Sequence, residues 1–298
     1  MKREPPGAGA PPLFRGTTRV VGVIGWPVED SLSPVIHNAA FQALAIDWVY
    51  VPLPVPPDAI AEALAGLRAL GLVGANVTMP HKTACAELIA GLSEDARLLG
   101  AVNTIEVRPE GLFGHNTDAP GFERFLREDA GFDATGRSAL MFGAGGAARA
   151  CALALARSGL AELTVAVREP DRAAALLETV SGFGMRVEVI PFDRAAEAPR
   201  NLVLNATPLG GSGEELPLPP LGPGVLAVDL RYRPSPTPFL RRAREAGAAA
   251  SGGLGLLLQQ AALSFRIWTG RRPPMDAMSA AALDELAAMA GGGPSAGP

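Results

Sequence analysis

Apolar and polar positions alternate along the chain in a pattern that predicts strands and helices in turn. Short apolar runs at residues 19–25, 47–53 and 72–77 predict buried strands. Between them, residues 35–44 and 57–70 carry apolar positions at helical spacing. This alternation of strand and helix is typical of an α/β fold built on parallel strands.

A second unit of the same kind begins near residue 138, and it contains a glycine-rich turn. A strand is predicted over residues 139–142, and the turn after it consists of Gly143, Ala144, Gly145, Gly146, Ala147 and Ala148. Gly143 permits a tight turn, Gly145 lets a pyrophosphate approach the backbone, and Ala148 keeps helix and strand close. Because helix 149–158 and strand 163–167 follow, this Gly-x-Gly-x-x-Ala turn predicts a dinucleotide-binding Rossmann domain.

The remaining pattern extends this α/β arrangement to the end of the chain. Strands are predicted over residues 186–190, 201–205 and 225–230, and helices over residues 256–269 and 278–289. The length of 298 residues allows two domains or one large domain. Only 5% of the residues are aromatic, which suits helices packed tightly on sheets better than an all-β sandwich.

Charge and apolar run length exclude several classes of function. The net charge of −4 provides no basic surface of the kind that binds nucleic acid. Residues 1–12 lack the apolar core of a signal peptide, and no uninterrupted apolar run approaches the length that spans a bilayer. We therefore expect a cytoplasmic protein with no nucleic-acid or membrane partner.

The cysteines and histidines do not predict a metal site. Cys85 and Cys151 lie in apolar, helix-like surroundings, which favours buried free thiols in a reducing compartment. The three histidines, His37, His81 and His115, are scattered and lack metal-ligand spacing. We therefore expect no metal.

A candidate for proton transfer lies in the stretch from Asn76 to Lys82. Pro80 is pre-set for the first turn of a helix, and Thr78 is placed to cap that helix. Lys82 then falls in the first helical turn, where the partial positive charge of the helix end disfavours a cation and suits a role in proton transfer. The alternative is a solvated lysine that turns away from the helix end.

Two serines precede the predicted helix 35–44. Ser33 is placed as its N-cap and Pro34 as its first residue. Hydroxyls on alternate residues beside a helix N-terminus, here Ser31 and Ser33, make a binding site for an anion such as a carboxylate. The alternative is that Ser33 only caps the helix and Ser31 has no role, and the sequence leaves both interpretations open.

Two further polar residues lie at strand ends, where the ligands of α/β sheets bind. Asn103 belongs to a strand predicted to begin at Gly100, and Asp118 ends a predicted hairpin and turn over residues 111–118. For Asp118 the alternative is capping, by Thr117 or by Asp118 itself, of the helix that follows. Capping and catalysis need not exclude each other here.

The residues after strand 163–167 bear on the choice of cofactor. An acidic residue there would hold the ribose of NAD, whereas an arginine would accept the 2′-phosphate of NADP. The chain has Arg168, Glu169 and Arg172, so the signals conflict. Two arginines outweigh one glutamate, and the sequence favours NADP.

Together these stretches resemble the shikimate dehydrogenase family, and the resemblance runs from about residue 20 to residue 286. It implies a substrate-binding α/β domain over residues 1–117 and 253–298, within which we expect residues 1–16 and 291–298 to be disordered. It implies an NADP-binding Rossmann domain over residues 118–252. The implied activity is reversible, NADPH-dependent reduction of 3-dehydroshikimate to shikimate in aromatic amino acid biosynthesis, by a monomer or homodimer.

The resemblance also implies roles for individual residues. Lys82 matches the catalytic lysine, and Asp118 matches its polar partner on the ring hydroxyls. The substrate-binding positions, two of which hold the carboxylate, match Ser31, Ser33, Thr78, Asn103, Asp118, Tyr232 and Gln260. The cofactor-binding positions match Gly143, Ala144, Gly145, Gly146, Ala147, Arg168, Arg172, Thr207, Leu230 and Gly253.

The chain departs from the family pattern at a few positions. Glu169 stands where the family has threonine, and it would repel a 2′-phosphate unless it turns away or pairs with Arg172. Asp30 stands where histidine is common, and Leu256 where methionine is common. None of these changes removes a catalytic group.

Three alternative functions follow from the same pattern. Glu169 leaves open a quinate/shikimate or aminoshikimate-type dehydrogenase that uses NAD. The architecture also fits a methylenetetrahydrofolate dehydrogenase/cyclohydrolase, although the Ser31-x-Ser33 and Asn116-Thr117-Asp118 motifs argue against it. A non-catalytic dinucleotide-binding protein is disfavoured because Lys82 and Asp118 are both present.

Overall fold

The computed structural model of the chain describes residues 14–197, 200–210 and 215–291. Residues 1–13 and 292–298, most of the two ends for which disorder is predicted, lie outside the described residues. Beside these ends, the N–H of Arg15 donates to Thr18 Oγ1 at 2.8 Å within a turn, and Gly291 is the last residue of the final helix.

The first part of the described chain forms a six-stranded mixed sheet. Its strands are β1 (Arg19–Gly25), β2 (Trp48–Pro54), β3 (Gly74–Val77), β4 (Gly91–Leu92), β5 (Thr104–Arg108) and β6 (Gly111–His115). Their order across the sheet is β2-β1-β3-β5-β6-β4. β1 pairs in parallel with β2 and β3, whereas β5 is antiparallel to β3 and β6. The residues that follow β1 and β3 therefore meet at one edge of the sheet.

The second part forms a sheet whose neighbouring strands are all parallel. Its strands are β7 (Ser138–Phe142), β8 (Glu162–Val167), β9 (Arg186–Pro191), β10 (Leu202–Asn205), β11 (Leu226–Asp229) and β12 (Ala249–Gly252). The order β12-β11-β10-β7-β8-β9 is that of a doubly wound dinucleotide-binding sheet, in which the strand order, and not the strand direction, reverses between β7 and β10. The predicted Rossmann-type fold is confirmed.

Helices cover both sheets. Their bounds are α1 (Ser33–Ala43), α2 (Ile60–Ala69), α3 (Lys82–Leu88), α4 (Glu94–Leu99), α5 (Asp118–Arg124), α6 (Gly146–Arg157), α7 (Ala174–Val180), α8 (Pro238–Glu245), α9 (Leu254–Thr269) and α10 (Met275–Gly291). No helix in the described ranges is both long enough and apolar enough to cross a membrane. Over the same ranges, no three His, Cys, Asp or Glu side chains are grouped so that they could hold a metal ion.

The last two helices return to the first sheet, as predicted. Phe265 and Trp268 of α9 and Met278 of α10 are buried in one core with Tyr50 of β2. The indole N–H of Trp268 donates to the carbonyl oxygen of Ile105 at 2.9 Å, so α9 is bonded directly to the sheet. This return places Gln260 and Ala261 of α9 around the same cavity as Val23 of β1 and Val77 of β3.

Some predicted boundaries are wrong. The strand predicted from Gly100 begins at Thr104, because Gly100 instead ends α4 in a left-handed conformation with φ of 55°. No helix is predicted where α4 lies, although Ser93 caps it with an Oγ that accepts from the N–H of Ala96 at 3.2 Å. Helix α1 begins two residues earlier than predicted, at Ser33.

Candidate active site

Lys82 is the first residue of α3 and follows β3 after a short turn. The helix begins here and not at Pro80, and His81 occupies the N-cap position without any side-chain cap, so the predicted capping by Thr78 is wrong. The turn is held because the N–H of His81 donates to Thr78 O at 3.0 Å and the buried His81 ring lies 2.7 Å from Val55 O through Nε2. These bonds fix the direction in which Lys82 leaves the backbone.

The ammonium of Lys82 pairs with the carboxylate of Asp118, with Nζ 2.6 Å from Oδ2. The two side chains are 30% and 14% exposed, so the pair is sheltered but still reachable from one side. The interpretation of Lys82 as a solvated surface lysine is therefore wrong. Neither Thr117 nor Asp118 caps α5 with its side chain, so the capping interpretation of Asp118 is also wrong.

Asn103 orients this pair from the end of the loop before β5. Its Oδ1 accepts from the N–H of Thr117 at 2.8 Å, which fixes the amide with Nδ2 facing the carboxylate. That Nδ2 lies 2.8 Å from Asp118 Oδ1 and 3.2 Å from Gln260 Oε1. An amine, a carboxylate and two amides from α3, α5, the β5 loop and α9 thus converge.

A buried layer of polar side chains, not predicted from the sequence, supports the amine, carboxylate and amides described above. Asn76 of β3 donates from Nδ2 to Ser264 Oγ at 3.0 Å and accepts at Oδ1 from the hydroxyl of Tyr50 at 2.8 Å. Ser264 lies on α9, four residues after Gln260, and its hydroxyl also lies 2.8 Å from that of Thr104. Asn76 could have indicated this layer from the sequence, because it is a polar residue inside the apolar run 72–77. The residues around Ser264 in the sequence give no comparable indication.

The two serines lie at the start of α1. Leu32 holds the N-cap position and Ser33 is already helical, so the predicted capping by Ser33 is wrong. The N–H of Ser33 donates to Ser31 Oγ at 3.3 Å, so Ser31 takes part in forming the turn. Both serines border the same cavity as Lys82. Their role as carboxylate ligands stays a prediction.

This cavity has a volume of about 310 Å³, within the range of small-molecule sites. The predicted substrate residues that line it are Ser31, Ser33, Thr78, Lys82, Asn103, Tyr232 and Gln260. Asp118 is not among its walls and reaches the cavity through its contacts with Lys82 and Asn103. The structure therefore brings the predicted substrate residues together around one space.

Two residues that belong to the second half of the molecule, Tyr232 and Cys151, have raised pKa values. Burial raises the pKa of Tyr232, which comes from the loop after β11, so its hydroxyl stays protonated and can donate a hydrogen bond. Burial also raises the pKa of Cys151 on α6, and the negative charge of Asp118 raises it further. Asp118 therefore lies within electrostatic reach of the helix that begins at the glycine-rich turn.

The glycine-rich turn has the shape that the sequence predicts. Gly143 has φ of +98°, and a Cβ on it would lie 2.8 Å from Thr207 Cγ2, so a side chain does not fit there. Cβ atoms built on Gly145 and Gly146 would meet no heavy atom of the described chain within 4 Å, so the turn faces open space. Helix α6 begins at Gly146, and its N-terminus favours a phosphate in that space.

The residues predicted beside the nicotinamide lie at the same carboxyl edge of the second sheet. Thr207 Oγ1 donates to Asn205 Oδ1 at 2.7 Å, and the N–H of Leu230 donates to Asn205 O at 3.0 Å. Gly253 lies so close to Leu230 that a Cβ would collide with the carbonyl oxygen of Leu230. Thr207, Leu230 and Gly253 therefore form one packed group around the end of β10.

The adenosine side of the predicted cofactor site follows β8. Arg172 Nε pairs with Glu169 Oε2 at 3.0 Å, and the two side chains are 73% and 65% exposed. The guanidinium carbon of Arg168 lies 5.8 Å from the centre of the Phe192 ring. Glu169 thus directs its charge to Arg172, which is one of the two arrangements under which a 2′-phosphate is tolerated.

Comparison with known proteins yields two family profiles that match this chain. A profile described as the shikimate dehydrogenase substrate binding domain matches residues 23–105. A profile described as the shikimate 5′-dehydrogenase C-terminal domain matches residues 253–283. The first match contains Ser31, Ser33 and Lys82, and the second contains Gln260.

Individual relatives cover nearly the whole chain. A shikimate dehydrogenase (NADP(+)) of Rubrobacter xylanophilus is 49% identical over 274 residues, which are 90% of this chain and 96% of the relative. The crystal structure of shikimate 5-dehydrogenase from Thermus thermophilus in complex with NADP(H) and shikimate is 40% identical, with a TM-score of 0.80 over 90% of this chain and 99% of that chain. Quinate dehydrogenase from Corynebacterium glutamicum in complex with NAD is 31% identical, with a TM-score of 0.82 over 90% and 99%. On these similarities, the chain belongs to the shikimate dehydrogenase family.

Proposed function

We propose that the protein is an NADP-dependent oxidoreductase that reversibly reduces 3-dehydroshikimate to shikimate, a step of aromatic amino acid biosynthesis. The observation that carries the proposal is the pairing of Lys82 with Asp118 at 2.6 Å beside a cavity of about 310 Å³. The Rubrobacter and Thermus relatives named for this activity support the same reading.

Lys82 is proposed as the proton donor in the reductive direction and the proton acceptor in the oxidative direction. Its ammonium borders the cavity, so it can approach the oxygen of a ring carbonyl as that oxygen gains charge. Asp118 and Asn103 hold the amine in place and can share a ring hydroxyl with it. A general acid held in this way contributes about 100-fold to 10,000-fold to the rate.

Ser31 and Ser33 are proposed to bind the substrate carboxylate at the other end of the cavity. Both hydroxyls can donate to an anion, and α1 begins at Ser33, so the partial positive charge of the helix end favours the same anion. Gln260 and Tyr232 line the same cavity and are proposed to bind ring hydroxyls. This arrangement orients the ring so that one face and one carbonyl are presented.

NADP, when bound, supplies the hydride for the reduction and accepts it in the reverse reaction. The residues proposed to hold its pyrophosphate are Gly143, Ala144, Gly145, Gly146 and Ala147. The open space in front of Gly145 and the helix N-terminus behind it fit a pyrophosphate. Arg168 and Arg172 are proposed for the adenosine phosphate, and Thr207, Leu230 and Gly253 for the nicotinamide side.

The domain division is proposed on the same basis. Residues 1–117 and 253–298 are assigned to substrate binding and residues 118–252 to NADP binding. The division is supported by the first sheet, whose strands end at residue 115, and by the second, whose strands span residues 138–252. The packing of α9 on β5 supports the return of the C-terminal segment. The oligomeric state, monomer or homodimer, stays a prediction.

A second candidate is a quinate or shikimate dehydrogenase that uses NAD. The observation in its favour is Glu169, an exposed acid at the end of β8, where NAD enzymes place a ribose-binding carboxylate. The similarity to a quinate dehydrogenase bound to NAD supports the same candidate. The pairing of Glu169 with Arg172 directs this carboxylate away from a ribose, which argues against the second candidate.

Absorbance of the reduced nicotinamide, with shikimate or quinate crossed with NADP or NAD, tests the proposal. We expect the highest kcat/KM for shikimate with NADP. A higher kcat/KM for quinate with NAD would favour the second candidate. No turnover in any of the four combinations would contradict both.

A further inference from the structure

An ion pair joins the two halves of the molecule at the rim of the substrate cavity. Arg233 Nη2 lies 3.1 Å from Asp30 Oδ1. Asp30 lies between β1 and α1 of the first sheet, whereas Arg233 lies after β11 of the second. Arg233 Nη1 also lies 3.0 Å from Met289 Sδ of α10, which holds the guanidinium in a fixed direction. The ion pair of Asp30 and Arg233 is therefore a direct contact between the two halves of the molecule.

The position of Asp30 creates an electrostatic problem for an acidic substrate. Asp30 lines the cavity and directly precedes Ser31, the first proposed carboxylate ligand. Among the described residues that line the cavity, Lys82 is the only lysine or arginine, and its charge is already matched by Asp118. An uncompensated Asp30 would therefore place a negative charge beside the substrate carboxylate, and like charges at this range repel.

Arg233 is placed to remove that repulsion without lining the cavity. Its neighbour Tyr232 does line the cavity, and the charges of both Arg233 and Asp30 act on the Tyr232 hydroxyl, Arg233 lowering and Asp30 raising its pKa. The two charges therefore act in opposite directions on a side chain that lines the cavity, and the effect of Arg233 is the larger. This offset depends on Arg233 staying within contact of Asp30.

We propose that Arg233 is a specificity-determining positioning residue, which permits acidic ring substrates to bind by neutralising Asp30 at the rim of the cavity. The inference rests on the proposed function, because it takes the carboxylate to lie at Ser31 and Ser33. Arg233 acts on binding of the anion and not on proton transfer at Lys82. Loss of Arg233 should therefore raise KM for shikimate and leave kcat nearly unchanged.

The expected size of the effect is set by exposure. Asp30 is 88% and Arg233 is 35% exposed, so water and salt screen the pair. Loss of Arg233 should raise KM for shikimate by about threefold to fivefold, the upper range for a solvent-exposed pair. At an ionic strength near 0.5 M, charges are screened within about 4 Å. The ratio of the variant KM to the wild-type KM should then approach one.

The test compares five variants with the wild-type enzyme in steady-state shikimate oxidation. Arg233→Met should show the rise in KM with kcat changed by less than about twofold, and Arg233→Lys should restore most of the wild-type KM because it keeps the charge. Asp30→Asn should leave KM unchanged or lower it. The double variant Asp30→Asn/Arg233→Met, in which neither charge remains, should return to the wild-type KM. Arg244→Met, on the exposed face of α8, controls for the loss of one positive charge.

Each outcome of this series decides something. A double variant as impaired as Arg233→Met would overturn the proposal, because Arg233 would then act on the substrate without Asp30. An unchanged KM in Arg233→Met, with the melting temperature of the wild type, would overturn it as well. Absence of shikimate oxidation in the wild-type enzyme would instead refute the proposed function.

Discussion

Lys82 Nζ lies 2.6 Å from Asp118 Oδ2, although 36 residues separate the two along the chain. Each residue begins a helix, α3 or α5, and each helix follows a strand of the first sheet, so the sheet determines the distance between them. Asn103 holds the other carboxylate oxygen at 2.8 Å. The carboxylate therefore has one oxygen for the amine and one for the amide, which leaves its orientation little freedom.

Asp118→Asn tests whether catalysis requires the negative charge of this side chain or only its size and shape. The amide keeps the size of the side chain but removes the anionic partner of Lys82. We expect kcat to fall by about tenfold to 100-fold, less than most of the roughly 100-fold to 10,000-fold that a positioned acid–base group contributes, because Lys82 itself is retained. Asp284→Asn on the exposed face of α10 is the matched control, and a similar kcat in both variants would contradict the role of Asp118.

Ser31→Ala and Ser33→Ala should affect substrate binding more than turnover. A hydrogen bond to a charged group contributes about 1.5 to 3 kcal/mol, so each change should raise KM for shikimate about tenfold or more. The expected kcat stays within about threefold of wild type, since Lys82 is unchanged. Ser181→Ala, beyond the end of α7, serves as control. An unchanged KM in the double serine variant would refute the carboxylate assignment.

Glu169→Gln should strengthen the preference for NADP. Glu169 pairs with Arg172 at 3.0 Å, and its removal would free Arg172 for a 2′-phosphate. We expect KM for NADP to fall about threefold and KM for NAD to stay the same or rise, because a carboxylate can also hold the ribose of NAD. Glu178→Gln on α7 controls for the change of charge. A fall in KM for both cofactors would show that Glu169 does not discriminate between them.

Sequence patterns located the local parts of the site but not the contacts between them. The turn at Gly143 and Gly145 is recognisable because strand, turn and helix are adjacent in the chain. By contrast, the approach of Gln260 to Asn103 spans 157 residues and depends on the return of α9, which only the whole fold determines. The role of Ser264 could not be predicted for the same reason, since its partner Asn76 is 188 residues away in the chain.

Capping was the least reliable inference from sequence. Thr78 and Ser33 both precede a proline or a helical pattern, yet neither caps a helix. Ser33 is already the first residue of α1, and Thr78 lies in a turn fixed by the buried ring of His81. A hydroxyl near a predicted helix start is compatible with capping and with ligand binding, and tertiary contacts decide between them.

A buried histidine predicts acid sensitivity of the fold. The ring of His37 on α1 stacks on Tyr50 with centroids 4.5 Å apart, and neither ring nitrogen has a hydrogen-bond partner among the described residues. Burial lowers the pKa of His37 from 6.5 to about 3. Between these values the unfolded chain binds a proton that the folded chain does not, so stability should fall as the pH drops below 6.5.

The measurement is urea unfolding at pH 7 and pH 4.5 of wild type and His37→Phe, which keeps a ring against Tyr50. The His37 contribution to the loss at pH 4.5 is about 2 to 3 kcal/mol, from 1.36 kcal/mol for each pH unit below 6.5. The wild type should lose that much more than the variant. Equal losses in the two proteins would mean that His37 protonates in the folded state as readily as in the unfolded chain.

The most direct test of the central claim is kcat of Lys82→Ala for shikimate oxidation with NADP. If the amine of Lys82 transfers the proton, kcat should fall by about 100-fold or more while KM for shikimate changes much less. Circular dichroism melting of the variant checks that the fold is intact. A folded Lys82→Ala enzyme with a kcat close to that of wild type would contradict the account.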